Sequence, residues 1–540
     1  MKNKFLMFAK TFTKTLRGQL CIALILGAVQ VFAFAPFELP WVLYPSFIGF
    51  FFLLEEIKKS TKKLFLLCFT FNFSMFVATV HWIYVSMDQF GGMPTIVNVS
   101  LIALFCSYLA LFPSFALWLT FRLNFISKIM RYLLVLPVFW LLMDMFRGWF
   151  LTGFPWAYLG YSHIDTPLIG FAPIFGVQGV TLAILLLCGA LTLILQQQYN
   201  KIALALIISL LLLGALLKSI RYTQLQSPIN ITLIQGNIDQ HKKWEPGNLY
   251  TSLFKYLNLS NIKDKKQELI IWPESAIAAL ELEIQPALQS ISADLQEKNK
   301  TLLTGIIEYN QQTKQYFNSI ITLGKQPSGD SYSEKSTARY RKSHLLPIGE
   351  FVPFEKWLRP LAPYFNLPMS SFSPGHTVQP NLRYAQTNLI ATLCYEITFP
   401  ELLRKNIHED TGVILTLSND AWFDFSIGPA QHLQIARMRA IEFARPLLRS
   451  TNTGITAIYN RFGQEKGRLK AHQAGALQLK IRPAIGDTPY QSFGSLFLNI
   501  YCFIVLLLLF IRFKIKLTDI YTPIKKNKQK SKKIRNNNES

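Results

Sequence analysis

The sequence predicts a polytopic α-helical membrane domain of eight transmembrane helices joined to one large extracytoplasmic α/β domain. Three observations carry that prediction. Apolar runs are long enough to cross a bilayer, the loops between them alternate between basic and free of Lys and Arg, and a polar middle region alternates short apolar strands with helices.

Of the 540 residues, 51% are hydrophobic, but they are unevenly spread. A helix needs about 20 largely apolar residues to cross the hydrocarbon core. Runs such as QLCIALILGAVQVFAFA (19–35), KIALALIISLLLLGALL (201–217) and FGSLFLNIYCFIVLLLLFI (493–511) meet or approach that length. Seven spans are predicted before the polar region, near 18–35, 41–54, 64–85, 96–121, 131–146, 177–196 and 202–219, and an eighth near 494–512. The expected domains are a seven-helix membrane domain over 1–220, an exported domain over 221–490, the eighth helix within 491–515 and a basic tail over 516–540.

Loop charge fixes the expected orientation. Lys2, Lys4, Lys10, Lys14 and Arg17 precede the first span, PFELP after it has no Lys or Arg, and the next loop carries Lys58, Lys59, Lys62 and Lys63. MDQFGGMPT again has no Lys or Arg, and Arg122, Lys128 and Arg131 follow. Basic residues are retained on the cytoplasmic side, so both termini are expected inside and the 221–490 domain outside. The net charge of +24 is then a matter of topology and anionic headgroups, and no nucleic-acid partner is expected. AFAP (33–36) faintly resembles a signal-peptidase site, but the proline after it and the spans that follow favour an uncleaved anchor.

Five of the six cysteines, Cys21, Cys68, Cys106, Cys188 and Cys502, fall in predicted spans, where cysteine serves as a small apolar residue. Cys394 alone lies in the exported domain, so a disulfide within that domain is excluded. No Cys-x-x-Cys or His/Cys cluster surrounds it, so no metal and no cofactor are expected. Core filler and nucleophile remain as its two readings.

The exported domain reads as strands INITLIQ (229–235), ELIIW (268–272), TLLTGIIEY (301–309), FNSIITLG (317–324), LIATLC (389–394), GVILTLS (412–418), GITAIYN (454–460) and GALQLKI (475–481). Helices are expected over 279–299 and 431–445, the second closed by Pro446. Alternation with strands apolar on both faces predicts a layered α/β fold. Residues 361–377, LAPYFNLPMSSFSPGHT, form an aromatic, Pro-rich loop that suits either an interfacial lipid gate or a lid packed on its own domain.

A thiol needs a base or a cation to become nucleophilic. IIWPES (270–275) places Glu274 where α/β sheets present functional residues, at a strand's C-terminal end. YRKSHLLPIGEFVPFE (340–355) holds Lys342 and Glu350 in a segment too rich in Pro and Gly for a plain helix. Taken singly, Glu274 also reads as a helix cap and Lys342 as a surface charge.

Together, WPES, YRKSHLLPIGEFVP and CYE resemble the Glu–Lys–Cys motifs of the nitrilase, or carbon–nitrogen hydrolase, superfamily. With seven spans before and one after, the chain resembles the apolipoprotein N-acyltransferase family over nearly its whole length. FRGWFLTGFPWAYLGYS (146–162), QGNIDQHKKW (235–244) and LSNDAWF (417–423) extend the match. The resemblance implies an αββα sandwich for the exported domain, with Glu274 as proton acceptor, Lys342 as oxyanion stabiliser and Cys394 as nucleophile. It implies that Glu350 supports Lys342, that Glu396 orients the elbow, that Tyr395 and Trp244 shape the acyl or headgroup pocket, and that Asn419 and Trp422 line the entrance. The implied reaction moves an acyl chain from a membrane phospholipid, through a thioester, to the α-amine of diacylglyceryl-modified apolipoproteins at a bacterial inner membrane, with the catalytic domain periplasmic. A membrane-tethered amidase using the same triad is the nearest rival. A transporter would need ionisable residues inside the spans, and the few candidates, Asp144 and His81, lie near span ends.

Overall fold

The computed structural model describes residues 14–57, 60–245, 247–264, 268–326, 329, 331–352 and 371–537, the last of these as backbone only beyond 516. Lys2, Lys4, Lys10, Lys58, Lys59, positions 361–370 of the aromatic loop and the side chains of the basic tail lie outside the described residues.

Among the described residues eight helical segments are long and apolar enough to cross a membrane: Leu16–Ala33, Pro40–Ile57, Thr61–Val80, Thr95–Arg122, Lys128–Arg147, Pro167–Leu195, Asn200–Lys218 and Leu496–Lys516. Each overlaps one predicted span, and the chain is a multi-pass membrane protein. Asn200–Lys218 is the least buried of these, whereas Pro167–Leu195 is 78% buried and forms the bundle's centre. Asp144 does not mark a transport path. It is buried, pairs with Arg147 at 3.0 Å and accepts from the Trp140 indole at 3.1 Å. Arg147 also donates to the Phe154 and Trp156 carbonyls at 2.8 and 2.7 Å, so this ion pair folds the 148–163 loop back onto the bundle. His81 is exposed.

Among the described residues the α/β domain has a small two-stranded sheet, Gln224–Leu225 with Ala484–Ile485, and twelve further strands in two six-stranded sheets. They are β1 (Ile229–Gln235), β2 (Leu269–Ile271), β3 (Thr301–Asn310), β4 (Gln315–Gly324), β5 (Arg339–Arg341), β6 (Leu382–Tyr384), β7 (Thr387–Leu393), β8 (Thr411–Ser418), β9 (Leu447–Thr451), β10 (Ala457–Tyr459), β11 (Glu465–Arg468) and β12 (Gly475–Ile481). One sheet runs β12-β1-β2-β3-β4-β5 and the other β11-β10-β9-β8-β7-β6. In each, three central strands are parallel (β1, β2, β3 and β7, β8, β9) and the edges antiparallel. Leu233, Ile271 and Leu303 of the first sheet pack against Leu393, Leu415 and Leu448 of the second. Helices Asn248–Ser260 and Gln285–Glu297 cover one outer face, and Pro400–Asn406 and Gly428–Glu442 the other. The four layers are α-β-β-α, as expected for this fold class. Covering both faces explains why the parallel strands are apolar throughout; β8 is buried at every position.

The two halves share one apolar core. Tyr395, Ile435, Met438 and Ile441 of the α/β domain belong to the same cluster as Trp82, Trp156 and Tyr161 of the membrane domain.

Candidate active site

Glu274 lies three residues beyond the end of β2, in a turn where Ser275 has φ +48°. Gly305 of β3 crosses so close that a Cβ there would stand 2.7 Å from the Glu274 Cα, which is why this position admits no side chain. The carboxylate is buried and held on both oxygens. Asn318 Nδ2 donates to Oε1 at 2.8 Å and the Asn419 backbone N–H donates to Oε2 at 2.9 Å. Burial raises the Glu274 carboxyl above the ordinary range, against the pull of Lys342.

Lys342 follows β5, its backbone N–H donating to the Asn318 carbonyl at 2.8 Å. Its side chain is 2% exposed. Nζ donates to Glu350 Oε1 at 2.8 Å and stands 3.7 Å from Glu274 Oε1. Burial disfavours the ammonium, but Glu350, Glu274 and Cys394 together outweigh it and raise its pKa above that of an ordinary lysine. Asn318 Nδ2 also donates to Glu350 Oε1 at 3.1 Å, and the Leu346 N–H holds Oε2 at 2.8 Å. One cation therefore sits between two carboxylates that share an asparagine.

Cys394 is the first residue past β7, with φ +50°, and opens the short 3-10 turn Cys394–Thr398. A non-glycine residue in the left-handed region at a strand-to-helix turn projects its side chain out of the sheet. Burial pushes the thiol up to about 12; Glu274 and Asp420 add to the rise, and Lys342 opposes it. The resting group is a thiol, and it senses both Glu274 and Lys342.

The predicted supporting residues take distinct places. Glu396, fully buried, accepts from the Leu393 N–H at 2.8 Å, the Ser343 N–H at 2.7 Å, the His344 N–H at 2.9 Å and the Tyr340 hydroxyl at 2.9 Å. It ties the cysteine turn to the lysine segment. Tyr395 donates to the Gly153 carbonyl at 2.9 Å and stacks near Phe154, joining the turn to the membrane domain. Trp244 is half-buried; next to it, Lys243 is 1% exposed, and burial lowers its pKa to about 8 although Glu274 opposes the drop. Asn419 packs directly on Glu274, and Trp422 stands edge-on to Phe90 at 4.7 Å. A cavity of about 340 Å³ lies beside the lysine segment, lined by Thr152, Ser343, His344, Leu345, Phe351, Phe372 and Pro374. It touches both halves of the molecule.

Sequence reasoning missed Asn318, a buried amide inside a strand read only as apolar. The signal was a polar residue in the β4 run FNSIITLG. Among the described residues no group of three or more His, Cys, Asp or Glu could hold a metal ion.

Comparison with known proteins places the chain in context. Residues 26–190 match the apolipoprotein N-acyltransferase N-terminal domain, and residues 230–483 match the carbon-nitrogen hydrolase family. Apolipoprotein N-acyltransferase of Photobacterium profundum is 43% identical over 479 residues, which cover 88% of this chain and 92% of that protein. The namesakes from Vibrio cholerae and Shewanella oneidensis are 42% and 39% identical, covering 88% and 94% of this chain and 93% and 98% of their own.

Proposed function

We propose, from the premise that this chain belongs to the apolipoprotein N-acyltransferase family, that Cys394 carries an acyl group between two membrane-anchored substrates. The observation that supports this most is the convergence of Glu274, Lys342 and Cys394 at the seam between the two sheets, next to the membrane-domain loop that Tyr395 grips.

In the first half-reaction Glu274 takes the thiol proton as sulfur attacks a phospholipid ester carbonyl. The tetrahedral oxyanion forms beside the Lys342 ammonium, whose preorganised charge is worth about 3–4 kcal/mol in such a role. Collapse breaks the bond to the glycerol oxygen, which leaves with the proton from Glu274 as a lysophospholipid. The acyl group remains on sulfur as a thioester. In the second half-reaction the neutral α-amine of a diacylglyceryl-cysteine attacks the thioester. Glu274 accepts the amine proton, the C–S bond breaks, and the proton returns to sulfur. An amide product and a free thiol result, in ping-pong order.

Glu350 keeps Lys342 charged and aimed, Glu396 sets the angle of the cysteine turn, and Tyr395 and Trp244 bound the acyl and headgroup space. The 340 Å³ cavity, with Phe351 and Phe372 in its wall, suits the glycerol end of a lipid. A bacterial inner-membrane protein with cytoplasmic termini and a periplasmic 221–490 domain agrees with the loop charges.

The test is product analysis. Purified protein given phospholipid and a diacylated lipopeptide should release an N-acylated peptide and lysophospholipid in equal amounts. Free fatty acid with no acylated peptide would mean that water resolves the thioester, as in an amidase-type hydrolase.

A further inference from the structure

A chain of buried polar residues that no step above employs ends on the backbone of Cys394. His432, on the helix Gly428–Glu442, is 2% exposed, and its Nε2 lies 3.1 Å from the Cys394 carbonyl oxygen. Its Nδ1 lies 3.1 Å from Asp420 Oδ1 and 3.1 Å from Arg449 Nη2. Asp420 Oδ2 accepts from Arg449 at 2.6 Å, and Oδ1 accepts from the Ser418 hydroxyl at 2.7 Å.

Donor logic assigns the ring hydrogen. A carbonyl oxygen only accepts, so Nε2 must carry the hydrogen. Arginine only donates, so a neutral ring offers the Nδ1 lone pair to Arg449, while Asp420 takes its hydrogens from Arg449 and Ser418. Burial and the neighbouring Arg449 charge keep the ring neutral. The Nε2–H tautomer then serves both the Cys394 carbonyl and Arg449 Nη2.

We propose that His432, held as that tautomer by Arg449 and Asp420, is a positioning residue that clamps the Cys394 peptide in its left-handed turn and so aims the thiol at the acyl donor. The turn needs such a clamp because φ +50° is a conformation that L side chains rarely adopt. The clamp is itself fastened to the membrane domain. The His432 ring packs 5.6 Å from Trp156, and Gln431 beside it accepts from the Trp82 and Trp156 indoles at 3.1 and 2.7 Å and donates to the Thr79 carbonyl at 3.1 Å. The bundle thus reaches the nucleophile's backbone through two residues of one helix.

The inference rests on Cys394 being the nucleophile, and the test separates the two claims. In full-length protein, single-turnover acylation by labelled phospholipid is compared for His432→Gln, whose amide nitrogen reaches the Nε2 position, and His432→Asn, one methylene shorter. The Gln variant should stay within about threefold of the parent. The Asn variant should acylate at least about tenfold more slowly, with the KM for lipopeptide unchanged, since small misplacements of reacting groups are costly. Equal rates in the two variants at equal thermal midpoints, or a loss confined to KM, would overturn the clamp. An adduct that persists in Cys394→Ala would instead overturn the nucleophile. Should neither variant fold, the unaltered protein decides. With ring-15N histidine and carbonyl-13C cysteine, solid-state NMR should show a protonated Nε2 coupled to the Cys394 carbonyl, and an unprotonated or distant Nε2 sinks the proposal.

Discussion

The two sheets have six strands each and the same parallel centre, yet they contribute to the site in opposite ways. The β12-to-β5 sheet supplies charged side chains. Lys342 sits between Glu274 and Glu350, and Asn318 donates to both carboxylates. The β11-to-β6 sheet supplies a backbone conformation: Cys394 at positive φ, with its turn braced by Glu396 below and His432 behind. Reactivity needs both, and two ties cross the seam beside the triad. Glu396 accepts from Tyr340, Ser343 and His344, and the Asn419 N–H donates to Glu274. The comparison teaches that the site is assembled at an interface inside one domain, so the triad's geometry depends on these ties.

Breaking the charged side should cost most. Glu274→Gln keeps the side chain's size but removes the base and replaces one accepting oxygen with a donor, and single-turnover acylation should slow by about 10²–10⁴-fold. In the parent enzyme the same carboxylate should set the acid limb of the rate profile. Its pKa is raised by burial, so the base form is lost, and the rate falls, at a higher pH than for an exposed glutamate. The Glu274→Gln variant should lack that limb. Lys342→Ala should slow acylation by about 10²–10³-fold and move the acid limb further up in pH, because Lys342 now holds the Glu274 pKa down. A limb that stays in place would show that the two groups are not coupled.

Damage to the ties should be smaller and should appear in stability as well. Glu396→Gln turns an acceptor of several N–H and O–H groups partly into a donor, and leaving one such buried partner unsatisfied costs about 1–3 kcal/mol. Thermal unfolding should register it, with acylation reduced in step. Tyr395→Phe removes one hydroxyl from the Gly153 carbonyl and should cost about 1 kcal/mol, with the rate within a few-fold of the parent. A larger kinetic effect would assign Tyr395 to the substrate pocket directly.

Much of this comparison was legible in the sequence, for identifiable reasons. Long apolar runs admit few alternatives in a bilayer, so each of the eight spans overlaps its expected place. The sixth begins at Pro167 rather than near 177, because a helical stretch rich in Pro and Gly, broken at Gly176 (φ +68°), precedes the apolar run. The strands β1 and β12 matched their predicted ends because their flanks are polar or proline-bearing. β9 was missed. LLRST carries Arg449 in mid-strand, and an arginine reads as solvent-facing unless its partner is known; that partner, Asp420, is 29 residues away. The same blindness hid His432 and Asn318, whose partners Cys394 and Glu274 lie 38 and 44 residues away. The positive φ of Cys394 was equally invisible, since nothing in CYE requires a left-handed cysteine.

The most direct test of the central claim is intact-mass analysis of the protein after incubation with phospholipid alone. One acyl group should add to the parent chain, map to the peptide carrying Cys394, come off with neutral hydroxylamine and be missing from Cys394→Ala. An acyl group of unchanged stoichiometry on the Cys394→Ala protein would contradict the account.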